Sequence, residues 1–559
     1  MSRLPMTAGA ATSLPAPRVK AGRRPLWTLL PLPVALLVAA PLLAVLVAAV
    51  VPAGAVWRHI LETTLPEMLR NSVLLVLLVG AITASAGAVA AWLVTACRFP
   101  GRGMLEVALL LPLAMPAYVC GYAYTWLLDV AGPVQSGLRG ATGLSWGQYP
   151  FPEIRSLPGA AVVLGMVLYP YVYLLCRSAF QQQSVCLVEA SRTLGHSLPR
   201  CFLHLALPMA RPAIVGGVAL ALMETLADFG TVQHFAVRTF TTGIYEAWFG
   251  LDDRGAASQL AACLIGLVAL LLTLEHVSRG GRRYHPTTTR HPPLRPVQLH
   301  GWKAAVAALA CSMPVLLGFA VPAGTLAALM IEVGDPLAPG RFMPFAWHSV
   351  VLAGTAAACA VLIAALIAWA ARLHPGPSQR LAGRIAGLGY AVPGSVIAVG
   401  TLVPLGLFDN ALDGWARAHL GISTGLLLSG GIAALVFAYL VRFLAVALAP
   451  VEAGLGRLKP SLRDAARVLG QRPAGAIWHV ELPLARNALL TGFLLVFVDT
   501  MKELPATLIV RPFDFDTLAV RVYSLASDER LAEASTAALL IVAVGLLPVV
   551  ALTRAMRQG

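Results

Sequence analysis

The stretch Glu189-Ala190-Ser191-Arg192-Thr193-Leu194-Gly195 runs on through His204 to Leu207-Pro208. It recurs as Asp464-Ala465-Ala466-Arg467-Val468-Leu469-Gly470, with His479 and Leu482-Pro483. The offset is 275 residues (464 − 189), and a gapless overlay of 189–214 on 464–489 gives ten identities in 26 positions. In each copy small or apolar residues fall at i, i+3, i+4 and i+7: Leu187, Ala190, Ser191 and Leu194, then Leu462, Ala465, Ala466 and Leu469. That spacing predicts a short helix with one apolar face. Gly195 and Gly470, six residues after the acid, suit a left-handed helix end because they lack a Cβ. Ser461-x-x-Asp464 predicts a capping box at the start of the second helix. Each unit therefore reads as a short helix, a glycine stop, a second short helix, then Leu-Pro ahead of a long apolar run. One copy alone would pass for an amphipathic loop. Two copies at matched places mark an internal repeat.

Of the 559 residues, 58% are hydrophobic and 12% charged, and the mean hydropathy is +0.76. A soluble domain carries about twice that charged share, so the chain reads as an integral membrane protein. Apolar runs long enough to cross ~30 Å of hydrocarbon lie near 27–51, 71–97, 104–128, 158–180, 212–234 and 256–277. A second set lies near 303–331, 345–371, 384–408, 423–449, 487–510 and 534–553. The first run exceeds a signal-peptide core of about 7–15 residues and reads as a retained helix. The expected fold is all-α, with about 12 transmembrane helices in two homologous six-helix domains. The boundaries expected are a tail over 1–26, a first domain over 27–278, a linker over 279–301 and a second domain over 302–559. The linker is rich in Pro, Thr, Arg and His.

Basic residues set the orientation. With both ends in the cytoplasm, most of the 41 Lys and Arg residues face inward and most of the 26 acids do not. Both repeated loops and the linker then lie on the cytoplasmic side. The net charge of +15 is thereby topological, and nucleic acid is not an expected partner. The eight cysteines form no CxxC and no Cys/His group at metal spacing, and they read as small hydrophobes.

No phosphate-binding Gly-x-x-x-x-Gly-Lys-Ser/Thr is present, because none of Lys20, Lys303, Lys459 and Lys502 follows a glycine. No converging catalytic set is visible either. What stands out are acids inside apolar segments five and eleven. Glu224 and Asp228 align with Asp499 and Glu503 under the same 275 offset. Ionisable groups at membrane depth cost several kcal/mol if they face lipid, so they point to a pathway or a partner. Asp499 and Lys502 sit at i, i+3, so a local neutral pair is an alternative for that half. Glu224 and Asp228 have no such local cation and favour a path for cationic cargo. A proton relay in a secondary transporter is the competing use of the same acids.

Tyrosines 118, 122, 124, 169, 171 and 173 gather around segments three and four. They fit an interfacial aromatic belt better than ligation of a metal. His59, His348 and His374 read as boundary residues, and His204 and His479 as packing or interface residues. Pro112, Pro116, Pro393 and Pro404 predict broken or kinked helices.

The repeated loop, Glu-Ala-Ala, three residues, Gly, nine residues, a hydrophobic residue, x, Leu-Pro, resembles the signature of permease subunits of binding-protein-dependent ABC importers. Ser191 replaces the second Ala in copy one and Asp464 replaces Glu in copy two. The resemblance implies a type I importer fold with both permease halves fused. It implies two copies of a cytoplasmic ATPase, which use the ATP, with no cofactor bound by this chain. One loop would dock in each ATPase, with Glu189, Ala190, Ser191, Gly195 and Pro208 matched by Asp464, Ala465, Ala466, Gly470 and Pro483. It implies a periplasmic substrate-binding protein and a place in the bacterial inner membrane lipid. The segments Arg238-Thr-Phe-Thr-Thr-Gly-Ile-Tyr245 and Arg511-Pro-Phe-Asp-Phe-Asp-Thr-Leu518 are similar to the ferric-iron branch. Fe(III) is a hard cation that prefers oxygen ligands, and Glu224, Asp228, Asp499, Lys502 and Glu503 would line its pathway without binding it tightly. Thiamine, polyamine, phosphonate and sulfate are the other cargoes within the class.

Overall fold

A computed structural model describes residues 31–50, 54–181, 193, 197–279, 296–333, 339–373 and 376–558. Glu189, Ala190, Ser191 and Gly195 of the first loop, and His374, lie outside the described residues. The long helices of the first half are α1 (Pro31–Val50), α2 (Leu65–Ala96), α3 (Ala117–Leu128), α4 (Leu157–Gln181), α5 (Arg211–Ala227) and α6 (Arg254–Arg279). Those of the second half are α7 (Trp302–Glu332), α8 (Pro339–Leu373), α9 (Gly394–Leu420) and α10 (Ile432–Gly456). They are followed by α11 (Pro460–Val468), α12 (Leu482–Met501) and α13 (Leu531–Gln558). Among the described residues ten helices are long and apolar enough to cross a membrane, or twelve if each of two bent pairs counts once.

The repeat extends to helix ends. Adding 275 to both bounds of α4 gives 432 and 456, the bounds of α10. The third segment of each half is not the single span expected over 104–128 and 384–408. In the first half the chain turns by 94° between Arg102–Ala114 and the helices after Pro116. In the second, helix Pro377–Leu388 stops and α9 starts at Gly394 with Pro393 as its N-cap. Proline lacks an amide hydrogen and holds φ near −65°, so the ladder stops there. Pro404, by contrast, lies inside α9.

The two halves interleave. Helix α1 packs on α9 and on Pro377–Leu388, in the second half, and the Pro41 carbonyl comes so close that a Cβ on Gly400 would lie 2.2 Å from it. Helix α7 does the converse, packing on α2, α3 and α4, with Gly318 against the Met166 carbonyl. The far end of the linker is also tied down. Cys97-Arg98 pairs in parallel with Val297-Gln298, and the Leu299 amide donates to the Arg98 carbonyl at 2.9 Å. The described cysteines are free thiols.

Four of the six tyrosines are buried in protein, not set in a surface belt. The hydroxyls of Tyr169 and Tyr173 donate to the carbonyls of Leu109 and Glu106 at 3.0 and 2.9 Å, and Tyr124 donates to Leu317 at 2.7 Å. Each supplies a donor to backbone freed by a broken or widened helix turn, which in lipid has no water to turn to. Inside α4 the backbone is approached closely by two glycines. A Cβ on Gly87 would lie 2.7 Å from Val172 Cβ, and one on Gly217 would lie 2.6 Å from Val172 Cα. Overpacking of this kind costs about 1–3 kcal/mol. Gly217→Ala is therefore expected to lower the thermal midpoint of the purified protein. Gly140→Ala, which has open space around the new Cβ, is expected to leave the midpoint unchanged.

Candidate translocation cavity and coupling loop

Segments five and eleven, expected as continuous spans, each stop at the acids. Helix α5 ends at Ala227, Asp228 takes an extended conformation, and a short helix resumes over Gly230–His234. The Asp228 carboxylate accepts hydrogen bonds from the amides of Thr231 and Val232, both at 3.1 Å, and from the Thr231 hydroxyl at 2.9 Å. Helix α12 ends at Met501, and a short helix resumes over Pro505–Val510. There Glu503 accepts from the amides of Ala506 and Thr507 at 3.1 and 3.2 Å, and from the Thr507 hydroxyl at 3.0 Å. The two acids are related by the 275 offset and do the same work. Each satisfies amides at the start of a helix that begins inside the protein.

Both breaks open on one cavity of about 110 Å³. Its wall includes all five ionisable residues singled out in the sequence: Glu224, Asp228, Asp499, Lys502 and Glu503. Tyr118 and Tyr171 line it as well, and Tyr390 is within electrostatic reach of Glu224 and Asp499. Lys502 Nζ lies 3.0 Å from Asp499 Oδ1, so the local pair open at i, i+3 is formed. The sequence reading missed Arg442. It projects from α10 into the same cavity, with Nη1 3.5 Å from Glu503 Oε1 and the guanidinium 5.5 Å from the Phe443 ring centre. The signal available was a lone charge in the apolar run Leu440-Val441-Arg442-Phe443.

The second repeated loop forms α11, a stop at Gly470, and a short helix over Pro473–Ala476. Gly470 has φ +84°, its amide donates to Arg467, and the Gln471 amide donates to Ala466. That pair of bonds around a left-handed glycine is a Schellman stop. The expected capping box is absent: α11 begins at Pro460 with Lys459 as N-cap and no side-chain cap. Pro460 sets the start, because its fixed φ favours the first helical position. Ala466 faces inward, whereas Leu462, Asp464 and Ala465 are exposed and Val468 and Leu469 are 88% and 82% exposed. Pro483 opens α12 as Pro208 follows the widened turn Phe202–Ala206 of the first copy. His204 and His479 each bond the carbonyl four residues earlier, Arg200 at 3.3 Å and Gly475 at 3.0 Å.

One further group, also unforeseen, joins this loop to the membrane helices. Glu481 is 2% exposed and accepts from Arg463 of α11 at 2.7 and 2.9 Å and from the Trp369 indole of α8 at 2.8 Å. Arg372 Nε stands 3.7 Å from the same carboxylate. The positions 275 earlier are all apolar: Ala206 for Glu481, Val188 for Arg463 and Val94 for Trp369.

A chain of membrane-spanning helices in two repeats, with a polar cavity between them and a loop standing out at one end, is a permease architecture. Residues 85–277 and 360–559 match the family described as binding-protein-dependent transport system inner membrane component. The chain belongs to that family and is a multi-pass inner-membrane transport subunit, not an enzyme. It is 27% identical over 488 residues to the Fe(3+)-transport system permease protein FbpB 2 of Haemophilus influenzae, covering 86% of this chain and 88% of that one. It is 24% identical over 439 residues to the ferric transport system permease protein FbpB of Actinobacillus pleuropneumoniae, covering 74% and 60%. It is also 30% identical over 193 residues to the molybdenum transport system permease protein ModB of Escherichia coli, covering 33% and 79%.

Removing one partner of a buried ion pair costs about 3–5 kcal/mol, because the other charge is left uncompensated. Glu481→Ala is accordingly expected to lower the thermal midpoint far more than Trp369→Phe, which removes a single neutral donor.

Proposed function

We propose that this chain is the fused permease of an ATP-driven importer and carries ferric iron, delivered by a periplasmic binding protein, into the cytoplasm. The observation that supports it best is the cavity, where acids from both halves converge. Four carboxylates stand against Arg442 and Lys502, a formal charge of −2 (2 − 4). That sign favours a cation over the oxyanion cargoes named for related permeases, and carboxylate and phenol oxygens suit a hard metal. The ferric relatives also span most of this chain, whereas the molybdenum relative covers a third of it.

In this reading the halves, 27–278 and 302–559, rock about the cavity and open it alternately to each side. Both termini and the 279–301 linker lie in the cytoplasm. The two repeated loops each dock in one of two ATPase subunits, which use the ATP. Exposed Val468 and Leu469 supply an apolar contact, Asp464 a polar one and Ala465 the close approach, while Ala466 faces inward and packs the loop against the protein. The 189–195 loop does the same for the first half through Glu189, Ala190, Ser191 and Gly195. Glu481 passes the motion of α11 to α8 through Arg463 and Trp369.

Two measurements test it. Glu224→Gln with Asp228→Asn keeps a hydrogen-bonding side chain at the helix break but removes both charges. Uptake of radiolabelled iron is expected to fall at least about tenfold, one charge interaction of over 1.4 kcal/mol, while the complex still assembles. Unchanged uptake makes the acids structural. Gly470→Pro cannot adopt the left-handed φ and, with Gly195→Pro, is expected to abolish co-purification of the ATPase. Retained docking with normal uptake rules out the coupling role.

A further inference from the structure

The acids of the cavity obey the repeat and the cations do not. Glu224 answers Asp499 and Asp228 answers Glu503, but the positions 275 before Arg442 and Lys502 are Val167 and Ala227. Both of those residues line the same cavity. One half thus contributes two acids and no cation, the other two acids and two cations. Arg442 occupies a built position, with its side chain 9% exposed. A Cβ on Gly394 would lie 2.5 Å from both Arg442 Nη1 and Glu503 Oε1, so only a glycine leaves room for the pair. Yet the guanidinium is loosely held. The contact to Glu503 is 3.5 Å, beyond hydrogen-bond length, and Arg442 Nε has no acceptor among the described residues. Glu224 and Asp499 are also within its electrostatic reach.

Four carboxylates around one cavity draw in a hard multivalent cation, and affinity rises with the number of charged groups. A pathway must instead let go of what it admits. We propose that Arg442, seconded by Lys502, is a tethered counter-cation that competes with cargo for the cavity acids. It neutralises them between cargoes, yields to an incoming cation, and by returning to the acids drives that cation out. No group of three His, Cys, Asp or Glu side chains is placed to hold a metal among the described residues, so the cargo meets the field of the acids and the counter-cation, not a ligand cage. The inference rests on the cationic-cargo reading above.

The test is binding of Tb³⁺, a hard trivalent probe with tyrosine-sensitised emission, to the full chain in lipid nanodiscs. Arg442→Gln is expected to tighten Tb³⁺ binding at least about tenfold, because a positive charge beside the acids is lost. Arg442→Lys keeps the charge and is expected to bind as the unsubstituted protein does. Arg442→Gln with Glu503→Gln removes one charge of each sign and is expected to bind less tightly than Arg442→Gln alone. In cells, Arg442→Gln is expected to lower iron uptake although its metal affinity rises. The proposal is overturned if Arg442→Gln binds Tb³⁺ no more tightly than the unsubstituted protein, or if Arg442→Lys binds as tightly as Arg442→Gln. Should Arg442→Gln fail to assemble, Lys502→Gln, whose partner Asp499 is less buried, must show the tighter binding or the proposal falls. Loss of the cation reading is seen separately, as iron uptake indifferent to Glu224→Gln with Asp228→Asn.

Discussion

Every charged or hydrogen-bonding group placed in the hydrocarbon layer must find its partner within the protein, and this requirement shapes the centre of the molecule. Asp228 and Glu503 meet it by closing the first turns of two helices that start in mid-protein. The same bonds break segments five and eleven and turn the broken ends toward each other. A cavity results, because a helix that stops inside a bundle leaves a gap where its next turn would have packed. The acids are thus at once the cause of the opening and part of its lining.

A second consequence of the same requirement is the network of tyrosines. Bent or widened helix turns free backbone carbonyls, and Tyr124, Tyr169 and Tyr173 supply the donors. The bonds run between elements far apart in sequence, from α3 to α7 and from α4 to the segment before Pro116. They fix the broken segment against both halves, while glycines 87 and 217 let α2 and α5 press closely on α4. Polar satisfaction and close packing act together here.

Much of this was legible in the residues. The 275-residue repeat, the acids at 224, 228, 499 and 503, and the helix breaks at Pro116 and Pro393 all follow from short-range rules applied twice. What escaped were features that depend on a partner distant in the chain. Arg442 and Glu481 interrupt the repeat, standing where the first half has Val167 and Ala206, so comparing the halves hid them. The tyrosines resembled a surface belt because composition records that a ring with a hydroxyl sits near a helix end, not which way it faces. Ser461 resembled a cap because the effect of Pro460 on the helix start outweighs the motif. Asp228 and Glu503 were found as charges, but their service as caps needed the position of the following amides.

The exchange of first helices between the halves bears on how the protein is made. Helix α1 leaves the ribosome early, but its partner α9 begins 344 residues later (394 − 50). At a synthesis rate of about 5–20 residues per second, α1 stands among lipids for roughly 20–70 s before that surface exists. A helix with a polar stripe could not wait there. The run Pro31–Val50 contains no polar or charged side chain on any side, and that uniformity suits an early arrival that must be stable alone before it is clasped.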